Sequence, residues 1–192
     1  MTNHKQKSVT GRDIHNTFIG VNLIPDNEEE RLQKLKEYEI LDTPQEGAFN
    51  HIAAMATHMF KVPIALISLV DADRVWFKAN VGLEGVRSVP RGESLCSLAV
   101  LNSAPTIFQD AANEPCLLAN PLVSGNFGLR FYAGAPLVTA DGLNIGTMCL
   151  IDKQPREFTE SDQKMLVNLA SIVMDEIELR YLRRKVSKDS PE

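Results

Sequence analysis

The chain has 192 residues, is 44% hydrophobic and carries a formal net charge of -5, which suits one substantial core and leaves little room for a second full domain. An acidic balance without clustered Lys and Arg excludes a nucleic-acid surface. No apolar run approaches a membrane span, and Thr2, Asn3, His4 and Lys5 open the chain without a signal core, so the protein is expected in the cytoplasm.

Residues 1–26 mix polar residues without sustained periodicity, and the patch Phe18-Ile19-Gly20-Val21 to Ile24 is too short to fold alone; a flexible tail with local docking is expected. From Asn27 the pattern is helical: Glu28, Glu29 and Glu30 sit in a first turn, and Leu32, Leu35, Tyr38 and Ile40 form an apolar face. Thr43-Pro44 interrupts it and opens a second helix running to about Phe60.

Val62 to Val70 is a continuous aliphatic run that suits a strand covered on both faces. Asp71-Ala72-Asp73 turns into a second strand, Arg74 to Val81, whose apolar set Val75, Phe77, Ala79 and Val81 alternates with Trp76, Lys78 and Asn80. A loop with Gly85, Pro90 and Gly92 leads to a short helix, Ser94 to Leu101, and a short strand, Thr106 to Gln109. Residues 111–127, rich in Asn, Pro and Gly, form a connection long enough to suggest a functional loop.

The chain is organised around Leu129 to Asp152, two β-type runs joined by Thr139-Ala140-Asp141-Gly142, an Asp-Gly hairpin signal. Ala133, Gly134, Ala135, Gly146 and Thr147 keep its side chains small, as where another group must approach a strand closely. Thr159 caps a long last helix in which Met165, Ile172, Leu179 and Val186 recur at sevens. Five basic residues between Arg180 and Lys188 suit a helix C-terminus. The fold class is therefore α+β: a central antiparallel sheet of five to six strands, terminal helices on one face and a loop-lined pocket on the other.

The stretches ERLQKLKEYEILDTPQEGAFNHIA, VPIALISLVDADRVWFKANVGL, NPLVSGNFGLRFYAGAPLVTADGLNIGTMCLID and FTESDQKML resemble the GAF modules of bacterial sensor histidine kinases and diguanylate cyclases. The resemblance covers about Glu28 to Arg180. It divides the chain into a tail (1–26), a GAF domain (27–182) and a helix end and tail (183–192), and it implies a small-molecule pocket between the sheet and the irregular connections. The catalytic domains that commonly accompany such modules are not found before Glu192, so the expectation is a stand-alone sensory or regulatory module, not an enzyme. Cyclic-nucleotide-binding relatives carry Asn-Lys, Phe and Asp-Glu where this chain has Asp152-Lys153, Phe158 and Asp162-Gln163. The departures speak against such a ligand and leave Lys153 and Asp162 as a possible ion pair.

Cys96, Cys116 and Cys149 are an odd set without zinc-ligand spacing and are taken as free thiols. Cys96 lies where bilin-binding GAF domains attach their chromophore, yet Ser97 follows it where those domains commonly place His. The alternative function is a thiol enzyme, because small GAF proteins include free methionine sulfoxide reductases; against it, the three cysteines are widely separated and exchange requires sulfurs that can meet. His51 and His58 lack the i, i+4 spacing of a helical metal pair. No metal or cofactor is expected. The candidate ligand-binding residues are Phe77, Cys96, Asp110, Arg130 and Tyr132, with pairing of Asp110 and Arg130 as a competing structural role. The partners expected are an unidentified small molecule, a signalling protein and a second copy through the terminal helices.

Overall fold

A computed structural model describes residues 14–45 and 47–189. The order is α1 (Glu28–Glu37), α2 (Gly47–Phe60), β1 (Ile64–Val70), β2 (Arg74–Val81), β3 (Ser88–Pro90), α3 (Cys96–Ala99), β4 (Thr106–Phe108), α4 (Pro121–Ser124), β5 (Phe131–Val138), β6 (Asn144–Asp152) and α5 (Glu160–Asp189). The strands form one antiparallel sheet in the order β3-β2-β1-β6-β5-β4. β1 is apolar apart from Ser68 because it is central and covered on both sides, and every one of its residues is buried.

Alternation along the strands separates two cores. Ala65, Ile67 and Leu69 of β1, Phe131, Ala133 and Ala135 of β5, and Met148 and Leu150 of β6 face the helices. Against them pack Leu35 and Tyr38 of α1, Phe49 and Ile52 of α2, and Leu166, Leu169, Val173 and Ile177 of α5. On the opposite side Leu66, Phe77, Tyr132 and Cys149 meet Leu95 and Leu98 around α3 and Leu117 and Leu129 of the long connection. The β5–β6 hairpin closes through Thr139 and Leu143, with Gly142 at φ 81°.

Three features differ from the sequence reading. The edge strand β3 falls within what reads as a loop, because three residues ending in a proline carry no usable alternation. Residues 111–127 are organised: two single helical turns, Ala111–Asn113 and Pro115–Leu117, precede α4. Asn120 is fully buried there, its amide nitrogen donating to Thr17 Oγ1 and to the Glu93 carbonyl while its oxygen accepts from Leu122 N. Lys153 and Asp162 do not pair; Asp162 accepts from Thr159 at the start of α5, and Lys153 Nζ lies 4.9 Å above the Phe127 ring.

Part of the expected tail, residues 14–26, lies against the cavity side, with Phe18 and Leu23 buried and Thr17 N donating to the Gly92 carbonyl. Residues 1–13 and 190–192 of the expected tails lie outside the described residues. A buried ion cluster ties this strap down. Glu28 accepts from Arg31 at 2.7 and 2.9 Å and from Arg91 at 2.5 and 3.0 Å. Both guanidinium groups are fully buried, and they also donate to the carbonyls of Val70 and Leu23 respectively. Burial raises the Glu28 pKa, but the hydrogen bonds from Arg91 and Arg31 outweigh it and hold the carboxyl below its ordinary value.

Candidate functional site

A cavity of about 180 Å³ lies between the sheet and the connections that cross it. Its floor is Leu66 of β1, Phe77 of β2, Tyr132 of β5 and Ile151 of β6; the walls include Leu83, Val86, Leu95, Cys96, Leu122, Phe127 and Leu129. The wall is apolar because the strand residues that reach it are apolar or aromatic, and the crossing loops supply aliphatic and aromatic side chains of their own.

Tyr132 has a specific local cause. Its ring folds back along β5 over Gly134, where a Cβ would lie 2.3 Å from the tyrosine oxygen. The side chain missing at Gly134 is therefore what admits the ring. Among the described residues, the Tyr132 hydroxyl is a buried group without a hydrogen-bond partner, as is Thr147 Oγ1. Burial, and then the charge that Cys96 can carry, push the phenol well above its ordinary pKa.

At the edge of the cavity Cys96 meets a small polar cluster. Its sulfur is 3.4 Å from Ser68 Oγ and 3.6 Å from the Cys149 sulfur. Hydrogen bonding from Cys149 lowers the Cys96 pKa; burial opposes this, and the hydroxyls of Ser68, Thr147 and Tyr132 add to the lowering. The Cys149 thiol is pushed up in turn, first by its bond to Cys96 and then by burial. Cys116 stands apart, raised by burial and by Glu114. The sequence separation of the cysteines suggests that no two sulfurs meet, and the fold overturns this: Cys149 lies on β6 directly beneath the short helix that carries Cys96.

Of the candidate residues, Phe77, Cys96 and Tyr132 come together at the cavity. Asp110 and Arg130 do not line it. Arg130 precedes β5 and turns to Asp110, with Nε and Nη2 donating at 2.7 and 2.8 Å. These bonds hold the Asp110 carboxyl below its ordinary value. The pair fastens the long connection to the sheet. Leu66 and Ile151 were missed as lining residues although strand alternation places both on Tyr132's side. His51 and His58 are exposed, and among the described residues no group of His, Cys, Asp and Glu could hold a metal. No described helix is long and apolar enough to cross a membrane.

Cys96→Ser is expected to change stability by less than about 1.5 kcal/mol, because the swap is nearly isosteric and three hydroxyls already surround the position. Urea unfolding of the two proteins measures it.

An open antiparallel sheet with helices on one side and a loop-covered cavity on the other defines an α+β module. The GAF domain family profile matches residues 45–177, and the chain belongs to that family. It is similar, at 42% identity over 154 residues, to a cyclic di-GMP phosphodiesterase of Pseudomonas aeruginosa; the match takes in 80% of this chain and 26% of that protein. Among solved structures it resembles the GAF domain of a phosphoenolpyruvate-protein phosphotransferase from Coxiella burnetii, with TM-score 0.60, 20% identity, and coverage of 84% of this chain and 97% of that one. It also resembles free methionine-R-sulfoxide reductase from Neisseria meningitidis, with TM-score 0.59, 21% identity, and coverage of 81% and 90%. At these identities the two structures establish the fold alone.

The expectation that the protein is not an enzyme is corrected by the Pseudomonas relative, which is a phosphodiesterase. That expectation came from finding no catalytic constellation within 192 residues. This chain spans about a quarter of that relative's length, so a search confined to it says nothing of chemistry carried elsewhere in such a protein.

Proposed function

We propose that the chain is a sensory module of a cyclic di-GMP signalling system, which takes up a small apolar molecule and alters hydrolysis of cyclic di-GMP in response. The observation that carries the ligand class is the apolar surface that Leu66, Phe77, Leu122, Phe127, Leu129 and Ile151 present to the cavity, since burying apolar surface there is favourable and, among the described residues, no polar group is offered to a ligand. Size supports the same reading: an apolar cavity of about 150 Å³ holds a molecule the size of benzene, whereas drug-sized ligands occupy about 300–1,000 Å³. Cyclic di-GMP itself is too large for the cavity. Its connection with the chain comes from the Pseudomonas relative.

Methylcyclohexane, an apolar ring without a polar atom, is a suitable probe. At a hundred times its dissociation constant it is expected to stabilise the protein by about 2.7 kcal/mol, a rise in melting temperature of roughly 5–10 °C for a chain of this size. Cyclohexanone, whose carbonyl finds no partner on this wall, should give less at the same concentration. Leu122→Trp, which fills the cavity from α4, should abolish the response to both and fix cellular cyclic di-GMP at one level whatever probe is supplied. Equal shifts by both probes in wild type would remove the apolar ligand class.

The same reading includes a homodimer through α5. Ile172, Leu179, Leu182 and Val186 are exposed along this helix, and the seven-residue spacing from Met165 to Val186 is that of a seam between two parallel helices. A second copy presents the same stripe, which makes the contact self-complementary. Sedimentation should find a dimer at micromolar concentration that weakens when Leu179 and Leu182 are both changed to Lys. A monomeric wild type under those conditions defeats this part of the reading.

A further inference from the structure

The cysteine cluster has a geometry that cavity packing alone does not require. Cys149 is held on β6 opposite Leu66 on one side and Gly134 on the other, whereas Cys96 belongs to a helix of only four residues. One sulfur is fixed and the other is carried by a short element between loops. Ser68 Oγ lies 3.4 Å from Cys96 Sγ and 3.9 Å from Cys149 Sγ. The hydroxyls of Tyr132 and Thr147 are buried as well, and hydrogen bonding from both favours the anion of Cys96. A neutral thiol uses such donors poorly and a thiolate uses them well, so the cluster is arranged for the anion. Cys96 also forms part of the cavity wall, which neither Cys116 nor Cys149 does.

We propose that Cys96 and Cys149 are a peroxide-reactive dithiol: an apolar organic hydroperoxide entering the cavity oxidises Cys96, and Cys149 converts the product to a disulfide. The Cys96 thiolate attacks the outer oxygen of the hydroperoxide. The O–O bond breaks, an S–O bond forms, and the alkoxide leaves as the alcohol after taking the proton that Cys96 gave up. Cys149 sulfur then attacks the sulfenic acid; the S–S bond forms as the S–O bond breaks, and hydroxide leaves as water with the Cys149 proton. The two thiols supply both electrons that reduce the peroxide. The sulfurs must close from 3.6 Å to about 2.05 Å, and the short helix α3 is the element free to make that movement because β6 is paired on both edges.

Access through the cavity rests on the ligand reading above; the chemistry of the pair does not. The test treats the reduced full chain with tert-butyl hydroperoxide and follows intact mass and linked peptides. The expected product has lost two hydrogens, joins the Cys96 and Cys149 peptides and leaves Cys116 free. In Cys149→Ser the reaction should stop at a Cys96 sulfenic acid that a cyclic dione traps, and in Cys96→Ser no disulfide should form. Hydrogen peroxide should react about tenfold more slowly, the factor that about 1.4 kcal/mol of apolar burial supplies.

A disulfide involving Cys116, or no disulfide, overturns the proposal, as does trapping at a thiol other than Cys96. Equal rates with the two peroxides overturn its choice of an apolar oxidant. The Cys96→Ser protein retains the cavity without the sulfur, so its melting response to methylcyclohexane judges the ligand reading separately.

Discussion

Replacing Glu28 by Gln is expected to destabilise the protein at pH 7 by about 3 kcal/mol, the lower end of the cost of removing one member of a buried ion cluster, and to lower the melting temperature by roughly 6–12 °C. The loss exceeds that of any surface pair because Arg31 and Arg91 are both fully buried and would be left facing one another across an uncharged amide. The lower end applies because the Glu28 side chain keeps some contact with solvent, at 17% exposure. The pH dependence has a definite sign. The folded carboxyl has a depressed pKa, so its contribution is fully present above the unfolded value of about 4.3 and is lost as pH falls through the folded value. Urea midpoints of wild type and Glu28→Gln should therefore differ by a constant amount from neutral pH down to about 5 and converge in stronger acid. A variant that matches wild type at pH 7 would show that the carbonyls of Val70, Asp71, Ala72 and Leu23 alone suffice for the two arginines.

Gly146→Ala is expected to cost roughly 3 kcal/mol, for a reason of space. A Cβ at Gly146 would lie 2.0 Å from the Ser68 carbonyl oxygen and 3.1 Å from Leu69 Cα, and backbone in the centre of a sheet cannot step aside as a side chain can. The register of β1 with β2 shifts between Ile67 and Ser68, and this irregularity accompanies the close approach to β6. Gly142→Ala makes the contrast: its surroundings are open but φ is 81°, so its loss should be nearer 1 kcal/mol and conformational in origin. Urea unfolding of the two variants side by side separates crowding from backbone strain.

Much of this architecture is legible in the sequence wherever the signal is local. Alternation and Asp-Gly place the β5–β6 hairpin, and the turn at Asp71-Ala72-Asp73 sets the start of β2. The small residues of β5 and β6 announce close approach, and at Gly134 the approaching group is the ring two residues earlier on the same strand. Phe77, Cys96 and Tyr132 line the cavity. What the sequence conceals are meetings between distant residues with no periodicity of their own. Glu28 and Arg91 are 63 positions apart, and Cys96 and Cys149 are 53 apart. Arg130 and Asp110 are ambiguous in the sequence for a different reason: a charge of each sign at the mouth of a loop suits a ligand as well as it suits another side chain, and the structure shows Arg130 turned to Asp110.

The basic end of α5 has a mechanical consequence. The helix is anchored to the body of the protein through Ile177, through Arg180, which donates to the Tyr38 carbonyl, and through Tyr181, which packs edge-on to Tyr38. The residues from Leu182 to Asp189 continue for about 12 Å beyond that anchorage. They form the outer arm of a lever whose fulcrum is Tyr38. Glu39 stays this arm from the side through Arg184 and Lys188. These ties are exposed to solvent and weaken as salt rises, whereas the fulcrum is packed and does not. A small tilt of α5 over the sheet is therefore magnified at the far end of the arm, and ionic strength sets how freely the arm can follow it.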